Sequence, residues 1–349
     1  MLLTEFDYHL PPDLIAQHAL PERDASRMLV VNREEQSWID ETFLSLRHFL
    51  KAGDVLVLNN TRVFPARLKG FRRRKEDRGG QVELLLLREL SEDGLEWEVL
   101  GKPGRAFKEG SELEFGDGRL IAVVTHRGEH GRCRVRFKTS EAFSSLVDEI
   151  GSTPLPPYID RDRELQIREP RYQTLYASKR GAIAAPTAGL HFTDRALTAL
   201  KEAGVGIVEI THHVGYATFQ PIREEIVEEH HIERETYEIP DAAVTVINSA
   251  KAAGGRLIAV GTTTVRALES SVAKDGTIVA QKGATELFIY PGYRFRAIDG
   301  LLTNFHLPQS SLLVLVAAFA GLSLILDAYE HAVAQRYRFF SYGDCMLIV

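Results

Sequence analysis

Apolar residues fall along this chain in two textures. In the first, short buried runs alternate with helical patterns. Asp54 to Leu58 (DVLVL) reads as a buried strand ending at Asn59 and Asn60. VGIVEI (205–210) and RLIAVG (256–261) read the same way. Thr193 can cap a helix over DRALTALKEAG, which Gly204 closes. AAVTVINSAKAAGG predicts a helix ending at Gly254 and Gly255, and TTTVRALES predicts another directly after the strand at 256–261. Ser310 or Ser311 caps a long apolar helix that is expected to continue through DAYEHAVAQRYR. In the second texture, runs at 82–88, 95–100, 120–125 and 133–138 follow one another at roughly ten-residue spacing with glycines between them. Short, regularly spaced strands with glycine turns predict a small sandwich or barrel. Helix signals return near Glu141, and a proline-rich joint follows at 152–160. The expected fold class is therefore α/β, because strands alternate with helices. A main α/β domain over 1–67 and 153–349 would be interrupted by a small all-β, barrel-like domain over 68–152.

Composition narrows the class. Of 349 residues, 44% are hydrophobic and 26% charged, which excludes a disordered or collagen-like chain. Cys133 and Cys345 lie far apart and form no C-x-x-C, so a reducing, cytoplasmic location is expected. The N-terminus lacks the basic start and apolar run of a signal peptide. The most apolar stretch, Leu312 to Leu326, is shorter than the roughly 20 residues of a membrane span, so no membrane is expected as a partner. The net charge is −6, but it is uneven. Residues 62–78 carry a local +6, while 223–241 hold eight acids and two arginines. One cationic surface on an acidic body is the implied arrangement.

Several familiar catalytic motifs are missing. There is no phosphate loop, no G-x-G-x-x-G, no H-E-x-x-H and no G-x-S-x-G. What remains sits at the ends of predicted strands, the edge where open α/β sheets bind ligands. After the strand at 256–261 come Thr262, Thr263 and Thr264, with Arg266 about a turn further on. These either cap the helix or hold an anion, for which Arg266 offers a bidentate pair. His191 lies in GAIAAPTAGLHFT, as a structural histidine or as a proton shuttle near neutral pH. His212, His213 and Gly215 follow the strand at 205–210. With His230, His231 and Glu233 they raise the idea of a metal, but adjacent histidines on a strand face opposite ways, so no metal site is expected. Asn304 and His306 precede a proline and a helix cap, and Tyr342 and Asp344 flank Gly343 in an apolar C-terminal stretch. The basic region has two parts: Arg72, Arg73, Arg74, Lys75 and Arg78 in a loop, and Arg132, Arg134, Arg136 and Lys138 at period two. They form either a solvated face or a surface for a phosphate backbone.

LPERDASRMLVV, DVLVLNNTRVFPARL, GKPGRAFKEG, GAIAAPTAGLHFT, GYATFQP, IAVGTTTVRALE, LLTNFHLPQSSLLVLVAAFAG and YRFFSYGDCMLI occur in that order. Together they resemble the S-adenosylmethionine:tRNA ribosyltransferase-isomerases of queuosine biosynthesis, from near residue 20 to the C-terminus. The resemblance implies transfer and isomerisation of the ribosyl group of S-adenosylmethionine. The acceptor is 7-aminomethyl-7-deazaguanine at the tRNA wobble position; epoxyqueuosine-tRNA forms, and adenine and methionine leave. It implies no cofactor, S-adenosylmethionine being a consumed substrate, and a monomer whose partner is tRNA carrying the modified base. On this reading the catalytic residues are His191, His306, Tyr342 and Asp344. Substrate-binding residues are Asn60, Arg62, His213, Gly215, Thr262, Thr263, Thr264, Arg266 and Asn304. Arg67, Arg72, Arg73, Arg74, Arg134 and Arg136 would hold the tRNA. A metal-dependent hydrolase built on the histidine pairs and a noncatalytic RNA-binding protein are the competing readings.

Overall fold

A computed structural model describes residues 1–74, 78–156, 158–159, 171–219 and 221–349. The chain divides into two compact units. One runs from Met1 to Arg62 and resumes after the barrel to reach Val349; the other is Val63–Pro156. Strands β1 (Arg27–Asn32), β2 (Ser37–Thr42), β3 (Val55–Asn59) and β4 (Thr61–Val63) come first. Then follow β5 (Arg67–Arg73), β6 (Arg78–Glu89), β7 (Glu96–Lys102), β8 (Glu112–Phe115), β9 (Leu120–Arg127) and β10 (Arg132–Lys138). The remainder are β11 (Lys179–Ala182), β12 (Gly206–His212), β13 (Glu235–Ile239), β14 (Leu257–Val260), β15 (Gln281–Thr285), β16 (Gly300–Asn304) and β17 (Cys345–Ile348). The helices are α1 (Leu46–Phe49), α2 (Phe143–Ile150), α3 (Asp194–Glu202), α4 (Asp241–Ala252), α5 (Thr262–Glu269), α6 (Ser311–Ala320) and α7 (Leu322–Ala334).

The larger unit is built on a nine-stranded sheet in the order β15-β13-β12-β3-β14-β16-β17-β1-β2. β12, β3, β14 and β16 run parallel, so all four carboxyl ends lie along one edge. β17 is antiparallel to β16, with Asn304 opposite Cys345, so its first residue meets the same edge. β14 is apolar throughout and β3 is apolar up to Asn59, because both faces are covered. Val55 and Val57 of β3 pack with α4, α5, α6 and α7, while Leu56 and Leu58 pack with Phe43, Phe192 and Leu200.

Side-chain caps start two of the helices, α3 and α6. Thr193 Oγ1 accepts from Ala196 N at 3.3 Å, and Ser310 Oγ accepts from Leu313 N at 3.2 Å. The single long helix expected after Ser310 is instead two helices with a bend of 116° at Gly321. Gly321 has φ +97°, a conformation that glycine adopts without strain and that interrupts an α-helix. Among the described residues no single helix is long and apolar enough to cross a membrane.

The smaller unit is a closed antiparallel barrel in the order β10-β7-β6-β5-β8-β9. Its interior holds Leu68, Leu84, Leu86, Val99, Leu113, Phe115, Val124, Val135 and Phe137, all buried. Four of the six strands follow the predicted runs. The other two, β5 and β8, are short or broken by charge in the sequence and carry no continuous apolar signal.

Candidate active site

The carboxyl edge of the parallel strands gathers two clusters. The first lies at the ends of β3, β12 and β14. Asn59 locks this corner by donating from Nδ2 to the His212 carbonyl at 2.9 Å and accepting at Oδ1 from the amides of His212 and Thr61. Gly261, at φ +89°, turns the chain from β14 straight into α5. Arg266, one turn inside α5, is 4% exposed. Its Nη1 donates to Glu235 Oε2 at 2.5 Å and its Nε to the Leu287 carbonyl at 2.9 Å. Nη2 has no partner among the described residues. Glu235, on β13, also accepts from Gly215 N at 2.7 Å and faces His212 Nε2 at 2.9 Å. Burial pushes its carboxyl up, but the His212 hydrogen bond and the Arg266 charge outweigh that and hold it at about 2. A cavity of about 230 Å³ opens over Thr262, Thr263, Glu235 and Arg266.

The second cluster lies at the ends of β16 and β17. Asn304 Nδ2 donates to the carbonyls of Phe340 and Asp344 at 3.3 Å, which fixes which way the amide faces. Its Oδ1 is buried and has no partner among the described residues. His191 Nε2 sits 3.2 Å from the same Nδ2. Ser26 Oγ donates to the Arg23 carbonyl and lies 2.6 Å from His191 Nδ1, so that nitrogen carries the proton. His306 Nε2 pairs with Thr303 Oγ1 at 2.8 Å. The backbone of His306 is clamped by two phenols: Tyr8 donates to its carbonyl at 2.5 Å, and its amide donates to Tyr329 at 3.1 Å. A cavity of about 400 Å³ lies here between Phe305, Leu307, Pro308, Phe340, Asn304 and His306. It adjoins the first, since Thr218, Pro221 and Leu312 line both.

The other expected site residues have different surroundings. Asp344 spends both carboxylate oxygens on backbone amides, those of Arg27 at 2.9 Å and Arg338 at 2.8 Å. It ties the C-terminal loop down and borders neither cavity. Burial raises its carboxyl, and the amides offset only part of that. Gly343 permits this loop, because a Cβ there would lie 2.4 Å from the Arg338 carbonyl oxygen. Tyr342 is buried in a small recess with Arg23, Ser26 and His191. Thr264 donates to the Val260 carbonyl at 2.7 Å and is turned away from the cavity. Asn60 is consumed by Thr211 and Glu209, and Arg62 is exposed. His213 pairs with Thr61 Oγ1 at 2.7 Å and not with His212. Among the described residues no three His, Cys, Asp or Glu side chains cluster as a metal site.

On the barrel, Arg134, Arg136 and Lys138 alternate outward while Cys133, Val135 and Phe137 face in. Arg136 pairs with Asp93, Arg73 with Glu112 at 3.4 Å, and Arg72 donates to Ser111 Oγ at 3.4 Å. Arg74 and Arg134 are exposed. Arg67 is buried at 7% exposure, with Nε 3.6 Å from Glu83 and Nη2 donating to the Leu155 carbonyl. Its guanidinium is a structural tie and is not presented to a phosphate. Lys75 lies outside the described residues, as does the side chain of Arg78.

Residues 3–348 match the family model described as a queuosine biosynthesis protein. The chain belongs to this family. Proteins named S-adenosylmethionine:tRNA ribosyltransferase-isomerase are similar over their whole length. The one from Halothermothrix orenii is 48% identical over 349 residues, and the one from Solibacter usitatus 50% over 363, each pair covering 100% of both chains. The crystal structure of an S-adenosylmethionine tRNA ribosyltransferase from Thermotoga maritima is 38% identical, covers 99% of this chain and 100% of its own, and superposes with a TM-score of 0.56.

In this family member both site histidines are buried and neutral. Burial, aided by Arg23 and Arg338, lowers His191 to about 4, and burial alone lowers His306 to about 3. The unfolded chain therefore takes up these protons first as pH falls. Stability from both groups is complete above about pH 6.5 and declines as pH falls towards 4 and then 3, by roughly 1.4 kcal/mol per pH unit for each histidine. Urea midpoints at pH 6.5 and 4.5 should fall less steeply in His191→Asn and His306→Asn than in the parent protein. Equal slopes in all three would mean that neither histidine is held neutral.

Proposed function

We propose that this chain is an S-adenosylmethionine:tRNA ribosyltransferase-isomerase whose nucleoside substrate spans the two adjoining cavities. One observation carries the reading. The polar cavity is bordered by Arg266, whose buried Nη2 is an unused donor among the described residues, and the apolar cavity by Asn304, whose buried Oδ1 is likewise an unused acceptor among them. Buried polar groups without partners are costly, so a bound ligand is the natural completion of both. It must offer an anionic acceptor at one end and a flat apolar ring with an N–H donor at the other. The carboxylate of the methionine end and the adenine of S-adenosylmethionine have those properties.

In this arrangement Arg266 grips the carboxylate, with Thr262 and Thr263 beside it at the start of α5. Adenine lies between Phe305, Pro308 and Phe340, its amino group donating to Asn304. The sulfonium acidifies the adjoining 5′-carbon. His306 borders the adenine cavity and is unprotonated at rest; in this arrangement it takes the proton from that carbon and later returns it to the departing adenine. His191, with both nitrogens engaged, acts through Asn304 and not on the reacting atoms. The reading calls for no metal, no membrane and one copy of the chain in the cytoplasm. It is tested with S-adenosylmethionine labelled in the ribose and tRNA bearing 7-aminomethyl-7-deazaguanine. Label should move to the tRNA; label that stays in a nucleoside overturns the assignment.

The outer face of the barrel is assigned to the tRNA backbone. Arg74→Ala and Arg134→Ala should each shrink the salt slope of tRNA binding by roughly 0.7–0.9, the value of one phosphate contact. Arg67→Ala should lower stability and leave that slope unchanged. Full slopes in the first two variants would make this strand a solvated face.

A further inference from the structure

We infer that Glu235 is a positioning residue for the carboxylate subsite, acting through Arg266; this rests on the function proposed above. Glu235 is buried, at 4% exposure, the buried acid in a stretch, 223–241, that holds eight acids. Its two oxygens tie β13 to two other segments of the chain, residues 212–215 and α5. Oε2 takes Arg266 Nη1 from α5 and faces His212 Nε2 at the end of β12, while Oε1 takes the Gly215 amide. His212 Nδ1 has no partner among the described residues, and Nε2 is the nitrogen that donates to Glu235. The carboxylate is then met by three donors and carries the negative charge that Arg266 needs when the cavity is empty.

Two of the three fixed donors matter for the ligand. With Nη1 held by Glu235 and Nε by the Leu287 carbonyl, the guanidinium has no rotational freedom left. Among the described residues Nη2 is left without a partner, and it belongs to a side chain that lines the polar cavity. A rigid fork loses less entropy on binding than a free one. The Gly215 bond also anchors the loop that carries Thr218, which lines both cavities.

Glu235→Gln keeps the shape and removes the charge. It is expected to raise the S-adenosylmethionine Kd and KM by roughly 10- to 100-fold, with kcat at saturating substrate changed less than about threefold. Glu235→Asp should recover part of the loss, since it restores the charge at a shorter reach. Because Glu235 works through Arg266, the Glu235→Gln, Arg266→Lys double variant should bind no more weakly than Arg266→Lys alone. S-adenosylmethionine titrations by calorimetry, with melting curves for each protein, read all four. Parent protein that binds no S-adenosylmethionine would sink the proposed function itself. Parent protein that binds, with Glu235→Gln binding equally well, would sink only the role of Glu235. Equal falls in kcat and melting temperature without a KM change would also overturn it, as a general loss of structure.

Discussion

Alanine in place of His306 is expected to slow adenine release in a single turnover by roughly 10²–10⁴-fold, the usual worth of a positioned proton carrier. S-adenosylmethionine affinity should stay within a few-fold of the parent. The reasons are geometric. His306 lines the apolar cavity, its Nε2 is paired with Thr303, and its backbone is gripped from both sides by Tyr8 and Tyr329. Those phenols hold the peptide, so truncating the imidazole leaves the loop in place. Burial keeps the ring neutral at physiological pH, so it enters the reaction unprotonated, and the same burial makes it a weak base in the empty cavity. Adenine, a poor leaving group unless protonated, then receives the proton that His306 has taken up. Rapid-quench measurement of adenine with saturating tRNA reads the step directly. A variant that turns over normally moves the proton chemistry to another group, with Tyr342 next, since it is buried in the recess beside His191.

The second large effect belongs to Arg266. Loss of the charge-assisted pair with the methionine carboxylate costs about 1.5–3 kcal/mol, a drop in affinity of roughly 10- to 100-fold. Arg266→Ala confounds this with folding, because it strands the buried Glu235 carboxylate. Arg266→Lys avoids the confusion. A lysine ammonium can still neutralise Glu235, but it cannot occupy the Leu287 carbonyl, Glu235 and a ligand in the fixed directions of a guanidinium. Calorimetry should therefore show weakened S-adenosylmethionine binding in a protein that melts nearly as the parent does, with tRNA affinity preserved. Unchanged affinity would remove Arg266 from the substrate site.

Strand and helix order was legible where a local rule dominates. Val55 to Leu58 and Leu257–Val260 are continuous apolar runs because both sheet faces are covered, and Thr193 and Ser310 cap helices by the ordinary side-chain bond. The break at Gly321 was not legible, because the apolar pattern runs through it and only the backbone angle reveals it. Arg67 reads as one more cation in a basic run, and its burial comes from Glu83 and the Leu155 carbonyl, which are distant in sequence. Asp344 reads as an acid beside a tyrosine, and only the fold brings it to the amides of Arg27 and Arg338.

Glu235 is the instructive omission. It sits among eight acids between 223 and 241, and composition alone treats them alike. A period-two signal was present: Glu235, Tyr237 and Ile239 share the buried face of β13, while Thr236 and Glu238 alternate away from it. A carboxylate in phase with a tyrosine and an isoleucine points inward and needs a cation, and Arg266 is that cation. Arg266 was read from sequence as a ligand anchor; its pairing with Glu235 is a tertiary fact.

Consumption of S-adenosylmethionine to modify tRNA is measured directly by following adenine. Purified protein, S-adenosylmethionine and a chelator are mixed with tRNA bearing 7-aminomethyl-7-deazaguanine or with the same tRNA bearing guanine, and adenine is quantified over time. Adenine should appear in proportion to the modified tRNA, with none from guanine at the wobble position and no effect of the chelator. Adenine released equally without the modified base, or none released in either case, would contradict the proposed function.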